Sequence, residues 1–94
     1  MKHHILVKWR ADAPDHDRLR QEIEALFQGV LEVPGVHQVD VIPNVINRPN
    51  RYDLLILLTM EEAALDAYDH CAPHHAFKET YTPYMEKKAI FDGE

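Results

Sequence analysis

The chain has 94 residues, enough for one small domain with a single hydrophobic core. Its formal net charge is -6 and no lysine/arginine block stands out, which argues against a nucleic-acid backbone as partner. Cys71 is the only cysteine, so no internal disulfide is possible; no apolar run approaches a membrane span and nothing resembles a signal peptide, so a reduced, soluble, cytoplasmic protein is expected.

The first element is a strand, HHILVKW, His3–Trp9. Alternation puts His3, Ile5, Val7 and Trp9 on one face and His4, Leu6 and Lys8 on the other, and both faces carry apolar residues, so both are expected to be covered. Ala13–Val33 reads as a helix that starts at Pro14 or Asp15, with an apolar stripe of Leu19, Ile23, Leu26, Phe27 and Val30. Pro34 and Gly35 stop it. Val36–Ile42 is a second strand, and Pro43–Asn50 a loop rich in turn formers. Arg51–Met60 is a third strand, apolar on both faces from Leu54 to Leu58. Glu61–Cys71 reads as a short helix with a stripe of Ala64, Leu65 and Tyr68, broken at Ala72-Pro73. A further helix near His74 carries Phe77, Tyr81 and Tyr84, and Lys87–Asp92 is the last strand.

Strand, helix, strand, strand, helix, strand is the order of a ferredoxin-like α+β fold with a four-stranded antiparallel sheet. The helices cover one face. The other is expected to carry His3, Ile5, Val7, Trp9, Leu54 and Ile56, with His4 turned to the helix side. An exposed apolar face of that size needs a partner, and a second copy would close a dimeric α/β barrel with a cavity between the two sheets.

The chemistry concentrates in AYDHCAPHHAF, Ala67–Phe77. His70, His74 and His75 could bind a metal, but Pro73 interrupts the i, i+4 pair and no HExxH motif or second cysteine occurs. Cys71 could be a nucleophile, although a lone cysteine is more often a small apolar filler. Tyr68 and His74 flank the helix break and could turn toward one point, with His3 as a third polar group. Histidine exchanges protons near neutral pH, and a tyrosine hydroxyl can hold an oxyanion. Against this, Tyr68 could be a core aromatic and His74 a polar helix-start residue. His4, His16 and His37 read as structural or solvated.

KHHILVKW, VPGVHQVDV, YDHCAPHHAF and KKAIFD together resemble the stress-responsive A/B barrel (Dabb) family over essentially the whole chain, as one domain at 1–94. The resemblance implies a homodimeric α/β barrel of ferredoxin-like protomers. Within the family, the pattern is similar to that of the plant polyketide cyclases of the olivetolic acid cyclase type, which perform an intramolecular aldol reaction without a cofactor. That likeness implies catalytic roles for His74 as base, Tyr68 and His3. It implies ligand-binding positions at Ile5, Val7, Ile56, Phe77 and Ile90, and no metal. Leu26 replaces a tyrosine of that pattern, Met85 a cavity tryptophan and Lys88 a cavity leucine. Lys88 suits an anionic ligand better than an alkyl-tailed one. Some plant members hold a cation on backbone carbonyls, and the matching segment is Val30–Val36. The expectation is a cofactor-free acid–base enzyme acting on a small carbonyl-containing or anionic molecule. The alternatives are a non-catalytic stress-associated ligand-binding or structural dimer and, from the wider superfamily, a cofactor-independent monooxygenase.

Overall fold

Three α-helices lie on one side of a four-stranded antiparallel sheet in the computed structural model, which describes all 94 residues. In chain order the elements are β1 (Lys2–Trp9), α1 (His16–Phe27), β2 (Val36–Pro43), β3 (Leu54–Met60), α2 (Leu65–Asp69), α3 (Ala72–Tyr81) and β4 (Met85–Gly93). The sheet order is β2-β3-β1-β4, so the first and last strands are neighbours, as the ferredoxin-like fold requires. No helix is long and apolar enough to cross a membrane.

The register decides what shares a face. Ile5 stands opposite Ile56 on β3 and Ile90 on β4, while His3 stands opposite Leu58 and Asp92. Directly opposed residues project to the same side, so His3, Ile5 and Val7 line up with Leu54, Ile56 and Leu58 and with Lys88, Ile90 and Asp92. His3, Ile5, Val7, Trp9, Leu54 and Ile56 are all buried, and the five apolar ones join the helices in one core.

This reverses the expected faces. The residues assigned to the open face pack under the helices, and His4, assigned to the helix side, lies on the open face, where it stacks edge-on with Phe91 at 5.5 Å. The period-2 pattern groups residues by face but does not say which group meets the helices, and both groups here are apolar enough to serve. A second consequence is that the core-side cavity lies within one protomer, between sheet and helices, instead of between two sheets.

Helix α1 begins where Asp15 accepts a hydrogen bond from the Arg18 N–H at 3.3 Å. Leu19, Ile23 and Phe27 are fully buried, whereas Leu26, placed on the same stripe, is half-buried at its edge. The α-helix ends at Phe27, six residues earlier than Val33, and tightens into a 3-10 stretch over Gln28–Glu32 that buries Val30. Gly35 then turns the chain with φ 93°, and a Cβ there would lie 2.9 Å from that of Ala64. Both conformation and space demand glycine at this point.

A 3-10 turn over Glu62–Ala64 leads into α2, which is one short turn. Pro73 does not separate the helices. It sits in the first turn of α3, where its missing N–H leaves no bond unmade, so α3 starts two residues before His74. Phe77 packs edge-to-face on Phe27 at 5.1 Å and ties α3 to α1. β3 begins at Leu54, where its apolar run begins, three residues later than the expected start at Arg51.

Candidate active site

A cavity of about 280 Å³ opens between the sheet and helices α2 and α3. Its floor is Tyr68, from the last turn of α2, and Phe77, from α3. β1 contributes His3 and Ile5; β4 contributes Lys88, Ile90 and Asp92; His74 and Lys78 come from α3. The turn between Asp69 and Ala72 reverses the chain just enough to set the Tyr68 and His74 rings against each other, with centroids 4.6 Å apart. The His3 ring meets Tyr68 edge-on at 5.4 Å. Three polar side chains from one strand and two helices therefore converge on one point.

Each is held differently. His74 Nδ1 lies 2.9 Å from the Asp69 backbone oxygen. A carbonyl only accepts, so Nδ1 carries the proton of the neutral ring and Nε2 is left as its basic nitrogen. Burial lowers the His74 pKa below its ordinary 6.5; the Asp69 bond and carboxylate act against this, while Lys78 and Lys88 add to it. The ring is therefore mostly neutral at pH 7. His3 is buried, and its Nδ1 donates to the Asp92 carboxylate, which fixes the ring from the neighbouring strand.

Tyr68 is different again. It is 0% exposed, and its hydroxyl has no hydrogen-bond partner in the protein. Burial, and secondarily Cys71 and Asp69, push its pKa far above the usual phenol value, so the group stays protonated. A buried donor without an acceptor costs about 1–3 kcal/mol, and native proteins retain few of them. This one belongs to a residue that lines the cavity.

The family model for the stress responsive A/B barrel domain matches residues 1–94. The chain belongs to this family. Among solved structures, a dimeric ferredoxin-like protein of unknown function from Bacteroides fragilis superposes on this Dabb chain with TM-score 0.80 at 18% identity, over 99% of this chain and 93% of the other. One from Jannaschia sp. gives 0.78 at 22%, over 99% and 96%. The hydroxynitrile lyase of Passiflora edulis gives 0.74 at 12%, over 96% and 87%. At these identities the likeness concerns the fold. No curated protein matches the sequence.

Of the residues singled out in the Dabb sequence, His3, Ile5, Tyr68, His74, Phe77, Lys88 and Ile90 line this cavity. Val7 and Ile56 do not: both are fully buried in the core below it. Met85 is also elsewhere, opposite Trp9 beyond an irregularity in the β1–β4 pairing. His70 and His75 are exposed, and no three His, Cys, Asp or Glu side chains gather in a metal-ligating arrangement. Cys71 is a half-buried free thiol at the N-cap of α3. The carbonyls of Val30 and Val33 accept the N–H groups of Val33 and Val36 within that turn, and the Gly35 carbonyl accepts from Glu61 N–H after β3.

Leu65, Asp69, Lys78 and Asp92 line the cavity without having been singled out. Lys78 had a signal: it lies four residues after His74 on a helix, hence on the same face. Asp92 shows only once β4 is registered against β1. A larger concavity of about 410 Å³ lies at the other side of the sheet, where Leu6, Ile42, Tyr52 and Leu55 meet the loop after β2. It is mainly apolar and holds no histidine or carboxylate, whereas the smaller one gathers His3, His74, Asp69 and Asp92.

Proposed function

We propose that this Dabb protein binds a small carbonyl-containing or anionic molecule in the cavity and acts on it as a cofactor-free acid–base enzyme of the cyclase or aldol type. The observation that carries this reading is the buried, unpartnered Tyr68 hydroxyl beside the His74 ring. A buried, protonated phenol is preorganised for a carbonyl oxygen that becomes an oxyanion. His74 Nε2 takes the proton from the carbon next to that carbonyl. The C–H electron pair becomes the enolate C=C bond, and the carbonyl π pair becomes the oxyanion held by the Tyr68 O–H. The enolate carbon then attacks a second carbonyl, and His74 returns its proton to the new alkoxide. His3, fixed by Asp92, orients the substrate from the sheet side. The Passiflora edulis lyase on the same fold makes such chemistry compatible with this scaffold.

The same proposal includes assembly and place. The open sheet face leaves Ile42 and Phe91 exposed at 46% and 63%, and covering it with a second copy would give a homodimer in the cytoplasm. The test of function is deuterium uptake next to the carbonyl of butan-2-one in D2O, followed by proton NMR. Uptake that depends on His74 supports the reading. A cavity that binds ketones but never exchanges their protons would make the protein a ligand-binding dimer and defeat the enzymatic reading.

A further inference from the structure

Two cations, Lys78 and Lys88, stand at the mouth of the cavity, and neither makes a hydrogen bond or ion pair inside the protein. They come from different elements, α3 and β4, so the mouth has an ammonium group on each wall. Tyr68 lines the inner end, and its buried hydroxyl lacks an acceptor. One end of the cavity thus calls for a negative charge and the other for a neutral acceptor.

From this arrangement we infer that the substrate is a short oxo acid, with its carboxylate at Lys78 and Lys88 and its ketone oxygen at Tyr68. This rests on the acid–base reading and adds the substrate class and two specificity-determining residues. The size agrees: about 280 Å³ is at the small end of ligand pockets. The charge points to a monoanion. Asp69 and Asp92 line the same cavity, and repulsion from their carboxylates grows with ligand charge, so a dianion such as a phosphate monoester is disfavoured more than a monoanion held by the two lysines. A carboxylate accepts from two separate ammonium groups at once, one per wall. Anchoring the acid at the mouth also directs the ketone inward, where the carbon next to it meets His74 Nε2. The proton moves from that carbon to the imidazole, and the C–H pair enters the enolate, as in the step above.

The test uses the whole protein in D2O with 2-oxobutanoate, 4-oxopentanoate and butan-2-one as probes. Proton NMR follows exchange next to the ketone, and saturation transfer on the same samples reads binding. At least one oxo acid should exchange faster than butan-2-one. The ratio of the two rates should fall roughly tenfold in Lys78→Gln and further in the Lys78→Gln/Lys88→Gln double variant, as expected for losing charge-assisted bonds at a solvated rim. Both side chains are exposed, so circular dichroism should report an unchanged fold. A ratio that both variants leave unchanged overturns the oxo-acid inference while any His74-dependent exchange still supports the base. Lysine-dependent binding of an oxo acid without exchange supports the inference and removes the base instead. Stronger displacement by inorganic phosphate than by acetate overturns the choice of a carboxylate, and an oxo acid that neither binds nor exchanges overturns both.

Discussion

Replacing Tyr68 by phenylalanine should make the ligand-free protein more stable and the proposed ketone proton exchange much slower. The hydroxyl is fully buried and unpartnered, so the folded state bears a desolvation cost that the unfolded state does not. Removing the group relieves about 1–3 kcal/mol. The loss is one oxygen atom from a residue that already lines a cavity, so little packing is forfeited. For a domain of this size each kcal/mol moves the melting temperature by about 4–8 °C, so a rise of at least ~4 °C is expected by circular dichroism. Deuterium exchange into the ketone probes should fall by about 10²–10³, the usual cost of one oxyanion donor. The two measurements have opposite signs, which no general damage to the fold can imitate. A melting temperature that falls would mean the hydroxyl has an acceptor in the resting protein. An exchange rate that survives would mean Tyr68 does not hold the oxyanion.

His74→Ala should lower exchange by about 10²–10⁴, while the exposed His70 and His75 should be nearly neutral as alanine; equal losses at all three, with a zinc-dependent rise in melting temperature, would restore a metal site. The base must be neutral to act and burial lowers its pKa, so the rate should fall with acid through a midpoint below 6.5 and stay flat above it; a midpoint above 6.5 refutes the assignment. The linked stability has the same sign, because the unfolded chain binds the proton first: the contribution is fully present above 6.5 and is lost as pH falls through the folded value. Leu57→Glu, in the middle of the open face, should weaken a dimer by at least roughly 100-fold in light scattering, and a wild type that is monomeric at micromolar concentration removes the paired-sheet arrangement.

The order of elements was legible because each stripe repeats at its own period: Leu19, Ile23 and Phe27 every fourth residue, Ile5 and Val7 every second. The side of the sheet was not. His4, Leu6 and Leu57 are nearly as compatible with a covered face as His3, Ile5 and Ile56, and only the packing of α1 and α3 chooses between them. Tyr68 and His74 could be paired in advance, since they lie six residues apart across a short helix break, which allows few arrangements. Ile90 and Lys88 came from the family pattern. Asp92 needed the β1–β4 register, a long-range fact that no local window contains. The missing acceptor of Tyr68 is further out of reach, because an absence of hydrogen bonding is a property of the whole packed interior.

The contact between His3 and Asp92 joins residues 89 apart in the chain. It forms only when β4 zips onto β1, the pairing with the longest loop to close, and loop closure is the slow entropic part of folding. On a ribosome, β1 therefore waits for nearly the entire chain before it acquires its second neighbour. The cavity beside His3 has no partly built ancestor along that path. Its last wall arrives in the same event that completes the sheet, so a nascent chain has no competent site until synthesis of the domain is finished.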